Sequence, residues 1–265
     1  MDGGAIANIR HHFLFSLGTQ YDFGLHSANG QGAYGAATDL MPSPGSEQLI
    51  ANGSVASETL ATGTPLVTDL SYGQIAGPIQ VPPGDYDLGI FPAGAGGTPV
   101  ASTHTPVLEP GQEYLAIASG FLAPNAGEAA FDVLYFADQA DTTDVHAARL
   151  RAVHASPDAP AVDISPVDNS GAIVAPVLVE AISFGDADAA AGRSVPAATL
   201  AIGVAAAGSA TPVATYDVTT SPGLRAFVVA AGSLGGGVGR APFGLWAVDT
   251  SAAAWTVASI PLANH

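Results

Sequence analysis

The chain has 265 residues, a net charge of −17, no cysteine and no lysine, so its six cationic side chains are all arginine. That balance excludes the clustered positive charge that nucleic acid and anionic membranes require. The missing cysteine excludes a disulfide framework, a thiolate nucleophile, a zinc–thiolate site and a lipidated cysteine. With 48% hydrophobic and 11% charged residues, 32 glycines and 20 prolines, the chain is no disordered polyampholyte; it reads as one or two domains of short strands joined by turns.

Taken in order, Met1-Asp-Gly-Gly has neither the basic nor the apolar region of a signal peptide. No run of about 18 apolar residues follows anywhere, so no membrane-spanning helix is expected. Ile9 to Gly30 reads as strand, corner, strand, with Phe13-Leu-Phe-Ser-Leu17 at the corner and Tyr21, Asp22 and Phe23 opening the second strand. A Gly, Ser, Ala and Thr-rich insertion runs from about 31 to 64. Within it Leu49 to Ala56 suits a hairpin turning at Asn52-Gly53, and Asn52-Gly53-Ser54 forms a glycosylation triplet. The insertion reads as a decorated surface loop or a binding loop.

Beyond it the period is two. In Asp85 to Ile90, Tyr86, Leu88 and Ile90 face one way and Asp85 and Asp87 the other, the pattern of a half-buried antiparallel strand. Glu113 to Ala118, and later Arg225 to Ala230 and Phe243 to Val248, are apolar on both faces, as central strands are. Pro83-Gly84, Pro110-Gly111 and Pro222-Gly223 mark turns at sandwich spacing, and no segment carries a capped helical period. Between 137 and 144 lies an acidic, turn-rich boundary.

The most individual stretch follows, Leu150 to Ile164, LRAVHASPDAPAVDI. Leu150, Ala152 and His154 alternate with Arg151, Val153 and Ala155 as a strand does. Pro157 and Pro160 stop it, because each fixes φ and lacks an amide proton. Asp158 is placed to close the turn, and Ala161 to Ser165 leaves as a second strand. The string resembles the opening signature of a bacterial family known as domain of unknown function 4397, R-V-V-H-A-S-P-D-A-P-A-V-D. It is matched by Arg151, Val153, His154, Ala155, Ser156, Pro157, Asp158, Ala159, Pro160, Ala161, Val162 and Asp163. The resemblance implies an all-β module of secreted or envelope proteins, sometimes in tandem, with no known catalytic residues. It also implies that a signal peptide has been removed from, or lies upstream of, this chain.

The first half echoes the second. Arg10, Asp22 and Gly30 answer Arg151, Asp163 and Gly171; Ser71-Tyr-Gly73 answers Ser183-Phe-Gly185; Val81-Pro82 answers Val195-Pro196. Pro110-Gly111, Gly120 and Phe131 answer Pro222-Gly223, Gly232 and Phe243. The expected fold is therefore all-β, two tandem antiparallel β-sandwich domains of Ig-like or Greek-key type. The first covers 1–140 and is degenerate at its corner; the second covers 145–265.

The chemistry is sparse. His154, Ser156 and Asp158 are the residue types of a hydrolase triad, but three residues along one strand and its corner do not converge as a triad must. Arg151, His154, Ser156, Pro157, Asp158, Pro160 and Asp163 are read instead as a structural corner. His11 and His12 fall on opposite faces of a strand; His26, His104 and His146 are free to approach in space. Asp138, Asp141 and Asp144, with Asp186 and Asp188, offer oxygens for calcium but depart from the calcium-loop pattern, and a solvated acidic linker is the plainer reading. Gly94 to Gly97 and Gly235 to Gly237 lack the lysine and helix of a phosphate cradle. Tyr86, Tyr114, Tyr135, Trp246 and Trp255 suit either a sugar-binding face or a core. No cofactor is implied. The expected function is non-catalytic: an extracellular or cell-envelope binding or adhesion module for a protein or glycan. The alternatives are a self-assembling structural subunit and, less favoured, a hydrolase.

Overall fold

The computed structural model describes residues 7–9, 21–27, 66–93, 98–237 and 239–263. The insertion at 31–64 with its hairpin and glycosylation triplet, the Phe13–Leu17 corner, His11 and His12, and Gly94 to Gly97 lie outside them. The protein is all-β, and no helix occurs among the described residues. By contact density the chain divides into two compact units. One runs to Ala118 and takes up Ala130–Ala137; the other comprises Ser119–Ala129 and everything from Asp138.

The first unit holds β1 (Ala7–Ile9), β2 (Tyr21–Ser27), β3 (Val67–Leu70), β4 (Ile79–Val81), β5 (Tyr86–Pro92), β6 (Ala101–His104), β7 (Tyr114–Ser119) and β8 (Asp132–Ala137). One sheet has the order β3-β2-β5-β6, while β1 pairs with β4 and β7 with β8, all antiparallel where a register is defined. The alternation read in Asp85 to Ile90 is realised: Tyr86, Leu88 and Ile90 are buried. They pack among Val67, Leu70, Val81, Leu108, Tyr114, Ala116, Ala118 and Val133. β7 is buried along its whole length.

The second unit holds β9 (Ala148–Ala155), β10 (Val162–Pro166), β11 (Val179–Ile182), β12 (Arg193–Val195), β13 (Thr199–Ala206), β14 (Ala214–Thr219), β15 (Arg225–Ala231), β16 (Gly244–Asp249) and β17 (Thr256–Ser259). Its sheets have the orders β11-β10-β13-β14 and β12-β9-β15-β16-β17. Ala152, Val228, Ala230 and Leu245 from one sheet meet Val162, Ile164, Val179, Ile182, Ile202, Val204, Tyr216 and Val218 from the other in one core, which makes the unit a sandwich. The ladders are antiparallel except β9–β15, which is parallel. β10 to β14 lie between these two strands in the chain, ample length for the crossover a parallel pair needs.

Part of the strand order recurs in both units. β3-β2-β5-β6 has the order of β11-β10-β13-β14, and the β1–β4 and β7–β8 pairs have counterparts in β9–β12 and β15–β16. The irregularities repeat as well. The ladder of β2 with β3 shifts between Tyr21↔Leu70 and Phe23↔Val67, that of β10 with β11 between Val162↔Ile182 and Ile164↔Val179. At each shift a non-glycine residue has positive φ, Asp69 at 55° and Ala181 at 48°. Such conformations are rare outside glycine, so one falling at the same place in both units is informative.

Candidate functional site

The site that the sequence singles out lies where β9 turns into β10. Its residues fold as a corner because the prolines end the first strand and the polar side chains then satisfy backbone groups that the turn leaves unpaired. His154 and Ser156 are completely buried. The imidazole Nε2 of His154 lies 3.0 Å from the Pro160 carbonyl, to which it must donate, and Nδ1 accepts from the Ser156 amide at 3.3 Å. These bonds fix the neutral tautomer protonated at Nε2. Burial lowers the His154 pKa, against the opposing pull of the Pro160 carbonyl and Asp186. The Ser156 hydroxyl donates to the Gly232 carbonyl at 2.7 Å.

Asp158 lies 3.5 Å from the Ser156 hydroxyl and reaches on into the loop after β15. Its carboxylate accepts from the Ser233 hydroxyl and from the amides of Leu234 at 2.8 Å and Gly235 at 2.9 Å. Burial on its own would raise this carboxyl; the three donors outweigh it and hold the pKa below the ordinary value. Asp163 performs the same task on β10, accepting from the amides of Ala181 at 2.8 Å and Gly208 at 2.7 Å, which ties down the positive-φ residue of β11. Arg151 donates to the Asp188 carbonyl at 3.0 Å and lies 5.6 Å from the Phe227 ring centre.

Sequence reasoning missed what holds the corner from the other side. Residues 119–129 close over it: the Ser119 hydroxyl donates to the Ala155 carbonyl at 2.6 Å and the Ala129 amide to the Pro157 carbonyl at 2.8 Å. Glu128 and Arg240, 112 positions apart, form a bidentate pair at 2.6 and 2.9 Å, with the Arg240 guanidinium 3.9 Å from the Phe121 ring centre. The bonds from Arg240, then those from Asn125, bring the Glu128 pKa down to about 2. Gly120 and Gly232 marked these loops in the sequence, but no local pattern pairs Glu128 with Arg240.

Ser156 and Asp158 thus both hold the loop after β15, while His154 holds the corner's own Pro160 carbonyl and Ser156 amide. Asp138, Asp141 and Asp144 stand along the chain without converging. Each folds back on its own turn, accepting from the amides of Ala140, Thr143 and His146 respectively. Asp141 also pairs with Arg149 at 2.9 Å, and Thr143, more than Arg149, lowers its pKa. Asp186 accepts from the Ser183 amide and Asp188 pairs with Arg193. Among the described residues no group of three or more histidine and carboxylate side chains is arranged to hold a metal. Tyr86, Tyr114 and Trp255 are buried, and the Tyr86 hydroxyl donates to the Pro82 carbonyl. No helix among the described residues is long and apolar enough to cross a membrane.

The family model described as "Domain of unknown function (DUF4397)" matches residues 48–165. The matched stretch runs from within the first unit through the corner to Ser165 in β10, and it supports the resemblance carried by HASPDAPAVD. No curated protein matches the chain.

Proposed function

We propose that the protein is a non-catalytic binding or adhesion module acting outside the cytoplasm, made of two copies of one sandwich unit of which the first has lost its corner motif. It presents loops of these sandwiches to a protein or glycan at the cell surface. The observation that carries this reading is the use to which the motif is put. The buried imidazole, the buried hydroxyl and the capped carboxylate each hold a backbone group in place, so the most individual residues of the chain build a stiff frame for loops. Duplication is supported by the shared strand order and by the coincident register shifts at Asp69 and Ala181. The extracytoplasmic setting rests on the family resemblance.

Binding of the labelled, untagged chain to a glycan array and to intact bacterial cells, read by fluorescence, tests the proposal; saturable binding is the expected result. Hydrolysis of ester, peptide or glycoside substrates that disappears in Ser156→Ala would overturn it. The second reading, a structural subunit, draws on the sheet ends: the segment after β17 covers β14, with Asp217 N donating to the Pro261 carbonyl, while β11 and β12 end their sheets. Light scattering separates the two, since a subunit polymerises with concentration and a binding module stays at one mass.

A further inference from the structure

The sandwich of the second unit leaves part of the space between its sheets unfilled. A cavity of about 60 Å³ remains, walled by Leu150 and Ala152 of β9, Val179 of β11, Val195 of β12 and Ile202 of β13 among others. Every residue of its wall is apolar except Asp188 and Arg193. Those two form a bidentate pair, the Arg193 guanidinium donating to the Asp188 carboxylate at 2.5 and 3.0 Å. Leu150, Leu178 and Leu200 pack on the core yet are only partly buried, so they mark the open side of the cavity. A wider groove begins at the same place. It shares Leu178, Val179, Asp188 and Arg193 with the cavity and adds Glu180, which is exposed.

Room alone would admit water, since one molecule needs about 10–15 Å³, but a buried water also needs several polar partners. The apolar side chains of the wall supply none, and the Asp188 carboxylate is already engaged by Arg193. Hydrocarbon is the better occupant, because apolar cavities stay dry and take up apolar ligands. A polar head joined to that hydrocarbon comes to rest in the groove outside. There the guanidinium charge is neutralised by Asp188, and Glu180 adds a negative charge to a chain already at −17. A carboxylate or phosphate head is repelled, whereas hydroxyls find hydrogen-bonding partners. We propose that the cavity binds the alkyl end of a single-chain amphiphile whose head is uncharged and hydroxylated, with that head lying in the groove beside Glu180 and Arg193. This ligand is separate from the protein or glycan assigned to the loops.

The test is titration of the untagged full chain, labelled with carbon-13 at its methyl groups, with monooctanoylglycerol below its micellar concentration, read by NMR. Saturable shifts are expected at the methyls of Leu150, Leu178, Val195 and Ile202, while those of Leu88 and Leu115 in the first unit stay in place. Affinity should rise about 4-fold per methylene from the hexanoyl to the octanoyl ester, the gain from burying one CH₂. Octanoate should bind about 10-fold more weakly or worse, and glycerol should shift nothing. Ala152→Leu, which fills the cavity from its wall, should weaken binding about 10-fold or more. The chain-length series uses the wild type and decides the matter even where that variant does not fold. Lining methyls that stay unmoved, an affinity indifferent to chain length, octanoate bound as tightly as the ester, or undiminished binding by a folded Ala152→Leu chain each overturns the proposal.

Discussion

His154 and His104 respond to pH in opposite senses, because burial dominates at one and two carboxylates face the other. Burial lowers the folded pKa of His154, so the unfolded chain binds the extra proton first as pH falls. Its stabilising contribution is complete above about pH 6.5, the unfolded value, and is lost progressively below it. The physical event is protonation of Nδ1, which expels the Ser156 amide that this nitrogen accepts. For His104 the hydrogen bond to Asp87 raises the folded pKa, with the charges of Asp87 and Asp85 acting in the same direction against burial. Its contribution is therefore present below pH 6.5 and fades as pH rises through the raised value. His104 is half exposed, so its effect is the smaller. Melting temperature measured between pH 5 and 8 should fall toward acid in the wild type. The fall should flatten in His154→Gln and become slightly steeper in His104→Ala. A His154→Gln chain with an unchanged acid slope would remove the imidazole from this account.

At the scale of elements, the corner works because three pieces of chain distant in sequence meet without room to spare. Gly232 follows β15, accepts the Ser156 hydroxyl at its carbonyl and has φ of 87°. A Cβ placed there would lie 2.2 Å from the Pro242 carbonyl oxygen, a backbone atom that cannot swing aside. Gly236, four residues on in the same loop, has φ of 65° but nothing within 4 Å of such a Cβ. The pair separates conformational cost from steric cost. Gly236→Ala should lose about 1 kcal/mol, the penalty of a left-handed backbone, while Gly232→Ala should lose about 3 kcal/mol or more. Equal losses in denaturant titrations would show that the loop yields and that the close approach does not matter. The Glu128–Arg240 pair belongs to the same junction, and its depressed carboxyl keeps it intact until pH falls below the ordinary glutamate range toward about 2. It does not contribute to the loss near pH 6.

Over the whole molecule, what could be read from residues was whatever rests on neighbours in the chain. The alternation of Tyr86, Leu88 and Ile90, the proline-stiffened stop at Ser156 to Pro160 and the apolar run before Ser119 depend on strand period and fixed φ, and each became the element it suggested. What rests on register or on distant partners was not readable: His26 opposite Asp87, the parallel β9–β15 ladder, and Glu128 beneath Arg240. The division of the chain belongs to this second kind. Composition marks a boundary near the acidic stretch 137–144, yet Ser119 to Ala129, well before it, packs with the second unit because the corner's carbonyls at Ala155 and Pro157 take their donors from it. A fragment cut by composition, 138–265, therefore lacks Ser119, Phe121, Glu128 and the Ala129 amide. It leaves the Ala155 carbonyl without its donor and Arg240 without its carboxylate partner, and such unsatisfied groups cost about 1–3 kcal/mol each where they stay buried. A fragment beginning at Ser119 retains all of them. Thermal melts followed by circular dichroism should show 119–265 unfolding at least about 5 °C above 138–265, with the shorter chain the more prone to aggregate. Coincident melting curves would mean that the segment merely lies against the corner, and that the sandwich is complete without it.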